Sequence, residues 1–219
     1  MNTGQEDNAF SYRTELARKA IHLTSIIIPI FFYLTPRNEA LAVLIPATLL
    51  VVAIDVGRYY NSTVNDLVTR YFGKLLRSHE SDARRKRLSG ASYVLISATL
   101  CVVLFPKLIA FTSFLILIIS DMMSALVGRR FGKRRFLGKS LAGSTAFFVS
   151  ALIVVALTPK VEYLPLEYAI GTVAAAAGAI VEALPWQIDD NFTIPIAVGC
   201  IMWGAYAVLL PSLNLYSHG

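Results

Sequence analysis

Residues 120–144 read SDMMSALVGRRFGKRRFLGKSLAGS and join two apolar stretches of the chain. The segment opens with a single acid, Asp121, at the end of the first apolar stretch. It returns to an apolar stretch after Gly143 and Ser144. Between these points lie six cations, which are Arg129, Arg130, Lys133, Arg134, Arg135 and Lys139. A short cationic segment between apolar stretches is typical of a loop at a membrane surface.

The composition of the whole chain also indicates a membrane protein. Its 219 residues are 56% hydrophobic and 16% charged, with a mean hydropathy of +0.60, whereas soluble domains are about half apolar and a quarter charged. Seven apolar stretches approach the roughly 17–25 residues that a helix needs to cross a bilayer. We therefore expect an all-α integral membrane protein, a single membrane-embedded domain over residues 1–219 with about seven transmembrane helices. The predicted spans are 20–35, 39–57, 89–106, 108–128, 141–158, 167–184 and 193–211.

The basic residues predict the orientation of the chain. All of the 20 Lys and Arg residues except Arg37, Lys107 and Lys160 lie in segments 1–19, 58–88 and 128–140. The positive-inside rule places such segments in the cytoplasm. With seven spans, the N-terminus is then cytoplasmic and the C-terminus is on the opposite side. This explains the net charge of +6 without a nucleic-acid partner.

The cytoplasmic loop 58–88 contains an amphipathic pattern of its own. Apolar residues recur at helical spacing from Val64 to Leu76, which predicts a helix. Ser62 or Thr63 is the expected N-cap. Flanking cations favour a position on the inner leaflet, and packing of the helix against the protein is the alternative.

Carboxylates gather at the predicted cytoplasmic ends of the spans. A charge inside a span costs roughly 2.5–3.5 kcal/mol, so several acids on one face indicate a site, with buried ion pairs as the alternative. The residues concerned are Asp55, Asp121, Glu182, Asp189 and Asp190, followed by Asn191.

The loop 128–140 has the composition of a phosphate-binding loop. Five residues separate Gly132 from Gly138, whereas a Walker A loop has four, so this is not a P-loop. Lys139 still supplies a positive charge, and Ser140 is expected to begin a helix whose N-terminus favours an anion. The alternative is a topological loop followed by an ordinary capped helix.

A polar helix face precedes the first span. Glu15, Arg18, Lys19 and His22 follow one another at helical spacing. They could contact a phosphate or a lipid hydroxyl at the mouth of the span. Interfacial anchoring with a Glu15–Lys19 pair is the alternative.

Together these motifs resemble the membrane family of CTP-dependent lipid kinases, which includes dolichol kinase, phytol kinase and CTP-dependent diacylglycerol kinase. The resemblance extends over most of the chain. Two positions differ from the family's common pattern, since Met122 replaces a proline and Ala142 replaces a glutamate. The matching motifs are Glu15-x-x-Arg18-Lys19-x-x-His22, Asp55-x-x-Arg58, Leu88-Ser89-Gly90, Asp121-x-x-x-Ala125-x-x-Gly128-Arg129-x-x-Gly132, Gly138-Lys139-Ser140-x-x-Gly143-Ser144, Glu182, and Asp190-Asn191 with Pro195.

The resemblance implies a kinase that transfers the γ-phosphoryl group of CTP to a membrane lipid alcohol, with Mg²⁺ as cofactor. The acceptor would be a polyprenol or dolichol, phytol or diacylglycerol. Asp121, Glu182 and Asp190 would hold the metal and, with Lys139, form the catalytic group, and either Asp190 or Asp121 would accept the alcohol proton. The expected nucleotide contacts are Arg129, Arg130, Gly132, Gly138, Lys139, Ser140, Gly143, Ser144 and Asn191. The expected lipid or phosphate contacts are Arg18, Lys19, His22, Asp55 and Arg58.

Two other functions fit parts of the same pattern. A cytidylyltransferase that makes a CDP-lipid from CTP and phosphatidic acid needs the same acids, Mg²⁺ and basic loop. A transporter could also use intramembrane acids, but transporter sites tend to lie near the midplane between repeated halves. No internal repeat is evident here. The sequence does not indicate an oligomeric state.

Overall fold

The computed structural model describes residues 22–72, 88–185 and 188–216. Within these ranges the chain forms eight α-helices and one β-hairpin. In chain order they are α1 Ile27–Leu34, α2 Arg37–Tyr60, α3 Ser62–Phe72, α4 Gly90–Leu104, α5 Lys107–Phe131, β1 Arg135–Phe136, β2 Lys139–Ser140, α6 Leu141–Leu157, α7 Pro165–Ala183 and α8 Asp190–Leu209.

Each of the seven predicted spans contains a helix, so the all-α class is confirmed. Four helices in the described ranges, α2, α5, α7 and α8, are long and apolar enough to cross a membrane. The other apolar helices, His22–Leu34, α4 and α6, are shorter. The number of seven spans is therefore not confirmed. The hairpin between α5 and α6 was not predicted, because its strands have only two residues each.

Helix α5 lies at the centre of the bundle. It packs against α1, α4, α6 and α8, and an unbroken run of its residues from Thr112 to Ile118 is buried. A helix that is apolar all round belongs in a core rather than at a surface. Asp121 lies three residues beyond this run and is itself buried, at 7% exposure. The fold thus carries this acid inside the bundle.

Helices α5 and α6 approach each other closely at two glycines. A Cβ atom on Gly128 would lie 3.3 Å from the Cα of Gly143. A Cβ atom on Gly143 would lie 3.0 Å from the carbonyl oxygen of Ser124. Small residues allow such backbone-to-backbone packing. The start of α6 is consequently held against the C-terminal half of α5.

The predicted amphipathic helix is present as α3 over Ser62–Phe72. The predicted N-cap was wrong, because Asn61 Oδ1 accepts the backbone N–H of Thr63 at 2.9 Å. Leu67 and Tyr71 on its apolar stripe are 51% and 70% exposed. These two side chains are not buried against the described part of the protein, and the position of the helix on the inner leaflet stays a prediction. Residues 73–87 lie outside the described ranges.

A buried polar cluster occupies the opposite end of the bundle, where α7 begins. Glu167 is fully buried, and its carboxylate accepts the backbone N–H groups of Val161, Glu162 and Leu164 and the hydroxyl of Tyr206 at 2.8–3.0 Å. Lys160 Nζ donates to two backbone carbonyls at 2.6 Å. Both charged side chains thus bind backbone groups at the end of α6 and in the loop between α6 and α7, and they stabilise that loop.

Candidate functional site

Lys139 on β2 contacts acids on two helices, α7 and α8, that lie much later in the sequence. Its Nζ lies 2.7 Å from Glu182 Oε1, near the end of α7. It also lies 2.8 Å from Asp190 Oδ2, at the start of α8. The structure therefore brings together three of the four predicted catalytic residues. Their catalytic and metal-binding roles remain predictions.

Glu182 is the most deeply buried member of this cluster, at 1% exposure. Its Oε1 also accepts the hydroxyl of Ser124 on α5, at 2.8 Å. Its Oε2 is buried and accepts no hydrogen bond from the described residues. A buried acceptor without a partner is uncommon in native proteins. This oxygen is therefore available to a ligand that brings a cation or a hydrogen-bond donor.

Asp121 contributes its charge to the same cluster. Burial by itself would lower the pKa of Lys139, but the carboxylates of Asp190, Glu182 and Asp121 outweigh it and raise the pKa. The effect of Asp121 on this ammonium places the acid in the electrostatic neighbourhood of Lys139. The charge of the fourth predicted catalytic residue thus acts on the same ammonium as the charges of Glu182 and Asp190.

The start of α8 supplies the remaining polar groups from this part of the chain. Asp189 caps the helix, because its Oδ1 accepts the backbone N–H of Asn191 at 3.0 Å. Asp190 is the first residue of the helix, and Asn191 is buried. An acid is favourable at a helix N-terminus because the helix dipole is positive there. This local structure holds Asp190 toward Lys139.

The predicted phosphate-binding segment forms a compact turn around the start of α6. Ser140 is the N-cap, as predicted, and its Oγ accepts the backbone N–H of Gly143 at 3.1 Å. A Cβ atom on Gly132 would lie 2.7 Å from Ser140 Oγ. The Oγ of Ser144 is buried and has no partner among the described residues. The segment thus leaves one buried hydroxyl available beside a helix N-terminus.

The hairpin is fastened directly to the end of α7. The backbone N–H of Gly138 donates to the carbonyl oxygen of Ala183 at 2.7 Å, next to Glu182. Leu137, at the turn of the hairpin, has a φ of 52°, a region that non-glycine residues enter at a cost. The geometry of the turn therefore depends on this anchor.

Other predicted contact residues lie on the last turn of α5, before α1 or outside the described ranges. Arg129 and Arg130 are exposed on the last turn of α5, and the Arg130 guanidinium lies 5.4 Å from the ring centre of Phe131. His22 is half-buried at the helical turn before α1. Arg18 and Lys19 lie outside the described residues.

Asp55 joins the end of α2 to the start of α4. Its Oδ2 accepts the N–H of Ser89 at 2.7 Å and the hydroxyls of Ser89 and Ser92 at 2.6 Å. Its Oδ1 accepts Arg58 Nη1 at 3.3 Å. Both side chains are buried. These bonds give Asp55 a structural role, since it connects α2 to α4. The predicted contact of Asp55 and Arg58 with lipid or phosphate stays a prediction.

Two residues with buried polar contacts were not predicted from the sequence, Ser124 beside the candidate site and Glu167 at the start of α7. Ser124, which bonds Glu182, lies three residues after Asp121 and so on the same helix face, a spacing that could have identified it. Glu167 follows Leu164-Pro165 at the third position of α7, where a glutamate often bonds back to the start of its helix.

The described residues contain no group of three His, Cys, Asp or Glu side chains close enough to hold a metal ion by themselves. Lys139 instead bridges Glu182 and Asp190. Protein sites for Mg²⁺ often use one or two carboxylates and complete the coordination with water and substrate phosphates. The free oxygen of Glu182 fits that second kind of site.

The chain is similar in sequence to several known proteins, and some of these have a named activity. An uncharacterized protein of Rickettsia prowazekii is 36% identical over 185 residues, covering 84% of this chain and 90% of its own length. A CTP-dependent diacylglycerol kinase of Schizosaccharomyces pombe is 28% identical over 167 residues, covering 68% and 73%. A CTP-dependent diacylglycerol kinase of Saccharomyces cerevisiae is 26% identical over 220 residues, covering 88% and 74%.

No protein-family model and no solved structure matches the chain. The relatedness therefore rests on sequence similarity over 68–88% of the chain, at a level of identity that differs between the relatives. The chain belongs to the same family as the Rickettsia prowazekii protein, and CTP-dependent diacylglycerol kinases of two yeasts are its distant homologues.

Proposed function

We propose that this protein is a CTP-dependent lipid kinase, which transfers the γ-phosphoryl group of CTP to the hydroxyl of a membrane lipid alcohol. One observation carries the proposal: Lys139, next to the capped start of α6, contacts both Glu182 and Asp190, and the charge of Asp121 acts on the same ammonium. The distant homology to CTP-dependent diacylglycerol kinases supports it. Phosphoryl transfer depends mainly on positioning and on neutralising charge, and this arrangement supplies both.

The triphosphate would bind at the hairpin and the start of α6. Lys139 provides a positive charge, and the α6 N-terminus provides backbone N–H groups and the positive end of its dipole. The buried Ser144 hydroxyl, which has no partner among the described residues, is a further donor. In this proposal Lys139 exchanges its carboxylate partners for phosphate oxygens when the nucleotide binds.

Mg²⁺ is the cofactor that the proposal implies. Asp121, with Glu182 or Asp190, would hold it together with phosphate oxygens, and when bound it would neutralise the charge of the phosphates. The departure of Lys139 toward the nucleotide would free the oxygens that it now occupies on Glu182 and Asp190. Mg²⁺ and the Lys139 ammonium would then together neutralise both the carboxylates and the phosphates of the nucleotide.

The chemical step exchanges one phosphorus–oxygen bond for another. The lipid hydroxyl oxygen attacks the γ-phosphorus, the bond from that phosphorus to the bridging oxygen breaks, and CDP leaves. The proton of the alcohol passes to a carboxylate, either Asp190 or Asp121. A buried carboxylate surrounded by other acids is a suitable acceptor for that proton.

The proposal also places the protein in a membrane. All seven apolar helices would be embedded, with the N-terminus and the site on the cytoplasmic side and the C-terminus opposite. Helices α4 and α6, with 15 and 17 residues, are about 22–26 Å long, and a bilayer can thin locally to match such helices. The acceptor hydroxyl would then reach the site from within the inner leaflet.

The test is a phosphoryl-transfer assay with the purified full-length chain. Separate reactions contain CTP or ATP labelled at the γ-position and one lipid alcohol each, namely diacylglycerol, a polyprenol, dolichol or phytol. We expect γ-label from CTP in a lipid, together with released CDP. The names of the yeast homologues make diacylglycerol the first acceptor to test.

A parallel reaction with CTP labelled at the α-position distinguishes the rival enzyme. A cytidylyltransferase given phosphatidic acid would place this label in the lipid and release pyrophosphate. That result, or the absence of lipid labelling from CTP with every acceptor, would overturn the proposal. Nucleotide-independent ion flux in liposomes would support a transporter instead.

A further inference from the structure

A groove runs along the outer edge of the contact between α5 and α6, and its role is not explained by the carboxylate cluster. Its volume is about 700 Å³. It starts under the hairpin and continues along α6 to Ile153. The lining residues are Met123, Val127, Phe131, Lys133, Arg134, Leu141, Ala142, Thr145, Ala146, Val149, Ser150 and Ile153.

Most of the groove offers only apolar groups. Val149 and Ile153 on α6 are 50% and 55% exposed. The hydroxyl of Ser150 is directed to its own helix, since Oγ donates to the carbonyl oxygens of Ala146 and Phe147 at 2.7 and 3.0 Å. An outward-facing apolar groove on a membrane helix suits a hydrocarbon chain, because contact with water would be unfavourable there.

The end of the groove beneath the hairpin has a different character. Lys133 and Arg134 line it there, and both side chains are exposed. Two cations beside an apolar groove complement a ligand with an anionic head and a hydrocarbon tail. A phosphorylated lipid has this combination, since a phosphomonoester carries about −1.5 to −2 charges near neutral pH.

The groove also lies next to the candidate site. Ala142 in the groove precedes Gly143, and Met123 precedes Ser124, whose hydroxyl bonds Glu182 at 2.8 Å. The wall between groove and site includes the close approach of Gly128 and Gly143. Because this wall consists of small residues, the head of a ligand in the groove would be near the carboxylates.

The dimensions suit a chain in one leaflet. From Leu141 to Ile153 the groove follows about 18 Å of helix, at 1.5 Å per residue. Half of a bilayer's hydrocarbon core is about 15 Å. An acyl chain lying in the groove could therefore span its leaflet while its head stays at the hairpin.

We propose that the α5–α6 groove binds an acyl chain of the lipid acceptor, and that Lys133 and Arg134 hold the phosphate of the lipid product. The assignment of the ligand as acceptor and product rests on the proposed kinase function. The binding of a lipid chain in the groove can be tested separately from it.

The first experiment is photo-crosslinking of the full-length chain in nanodiscs. The probe is a diacylglycerol that carries a diazirine in one acyl chain, and the labelled peptides are identified by mass spectrometry. We expect labelling within segments 123–131 and 142–153. The Ala146→Trp substitution fills the groove and should reduce this labelling about tenfold.

Val173→Trp is the matched control, because Val173 is 60% exposed on α7 and does not line the groove. It adds the same side chain to another apolar surface and should leave the labelling of segments 123–131 and 142–153 unchanged. Two outcomes would overturn the proposal. In one, the unsubstituted protein shows no labelling of those segments, and in the other Ala146→Trp leaves their labelling unchanged.

The second experiment measures kinetics with the same variants. We expect Ala146→Trp to raise the KM for the lipid about tenfold with little change in the KM for CTP, while Val173→Trp changes neither. An unchanged KM for the lipid in active Ala146→Trp protein would overturn the assignment of the groove to the acceptor. If the unsubstituted protein phosphorylates no lipid, the kinase function fails, and crosslinks in the groove would then establish a lipid site without that function.

Discussion

The ammonium of Lys139 lies 2.7 Å from Glu182 Oε1, so a cation on the hairpin neutralises an acid that is 1% exposed at the end of α7. A carboxylate at that depth keeps its charge only when a partner compensates for the lost water. The same ammonium also reaches Asp190 on α8. One side chain of the hairpin thus contacts both α7 and α8, in addition to the backbone bond from Gly138 to Ala183.

The Lys139→Gln substitution, which removes the charge of this side chain, should destabilise the protein. Breaking a buried pair costs about 3–5 kcal/mol. Because the Lys139 side chain is 35% exposed, we expect roughly 1–3 kcal/mol for Lys139→Gln after solvent screening. Thermal unfolding in detergent micelles measures the loss. Lys133→Gln, which removes an exposed cation from the same hairpin region, is the control and should change stability little. Equal midpoints for Lys139→Gln and the unsubstituted protein would contradict the expectation.

The pH dependence of this contribution follows from the raised pKa of Lys139. A group that binds its proton more tightly in the folded state stabilises that state fully below its unfolded pKa, and the contribution disappears as the pH rises through the folded pKa. The stability difference between unsubstituted protein and Lys139→Gln should stay constant from about pH 7 to 10, and should decrease only above the ordinary value of 10.5. Unfolding series at several pH values measure this. A difference that vanished below pH 9 would show that the carboxylates do not hold the ammonium as described.

Asp121→Asn should stop phosphoryl transfer while leaving the protein folded. The substitution removes a charge that acts on Lys139 with almost no change in volume, and we expect kcat to fall about 100-fold or more. The γ-label assay measures turnover, and thermal unfolding measures folding. Asp66→Asn on the exposed part of α3 makes the same chemical change elsewhere and should keep full activity. Retained turnover in Asp121→Asn would remove Asp121 from the mechanism.

Gly143→Ala should separate α5 from α6. The added Cβ would lie 3.0 Å from Ser124 O and Ser140 Oγ, so the backbone of one helix must shift, at a cost of about 1–3 kcal/mol. The shift would also disturb the Ser124–Glu182 bond and reduce activity. Gly204→Ala is the control, since nothing lies within 4 Å of the added atom and alanine favours the helix by up to about 1 kcal/mol. Similar unfolding midpoints for the two variants would disprove the close approach.

Asp55→Ala distinguishes a structural joint from a substrate contact. The variant loses the acceptor for Ser89, Ser92 and Arg58, and leaves a buried guanidinium without its carboxylate, at a cost of about 3–5 kcal/mol. We expect activity and the yield of folded protein to fall together. Folded, stable protein with a raised KM for CTP or lipid would instead support the predicted contact role.

The parts of the fold that depend on local pattern could be predicted from the sequence. Apolar stretches marked the seven helices, and Ser140 was correctly placed at the start of α6 because an N-cap needs only its own neighbours. The cap of α3 was misplaced by one or two residues, since Ser62 or Thr63 was predicted and Asn61 is the cap. Adjacent Asn and Ser residues are nearly equal as caps, so local preference does not decide between them.

Features that depend on long-range partners were not predictable in the same way. The joint at Asp55 requires Ser89 and Ser92, 34 and 37 residues later, and Glu167 requires Tyr206, 39 residues later. Lys139 was predicted to contact phosphate, and in the structure it contacts Glu182 and Asp190. Spacing identified which residues are unusual, whereas their partners depend on how the helices pack.

Glu167 and Glu182 stand at the two ends of α7, about 22 Å apart along its axis. Each oxygen of Glu167 already accepts two hydrogen bonds, while Oε2 of Glu182 accepts none from the described residues. Among the described residues, the carboxylate at the Glu182 end of α7 thus has an open acceptor oxygen, and the carboxylate of Glu167 has none. The two glutamates of one helix therefore differ in kind, because hydrogen bonds fix Glu167 to its loop while Glu182 keeps an oxygen for a ligand that arrives beside Lys139.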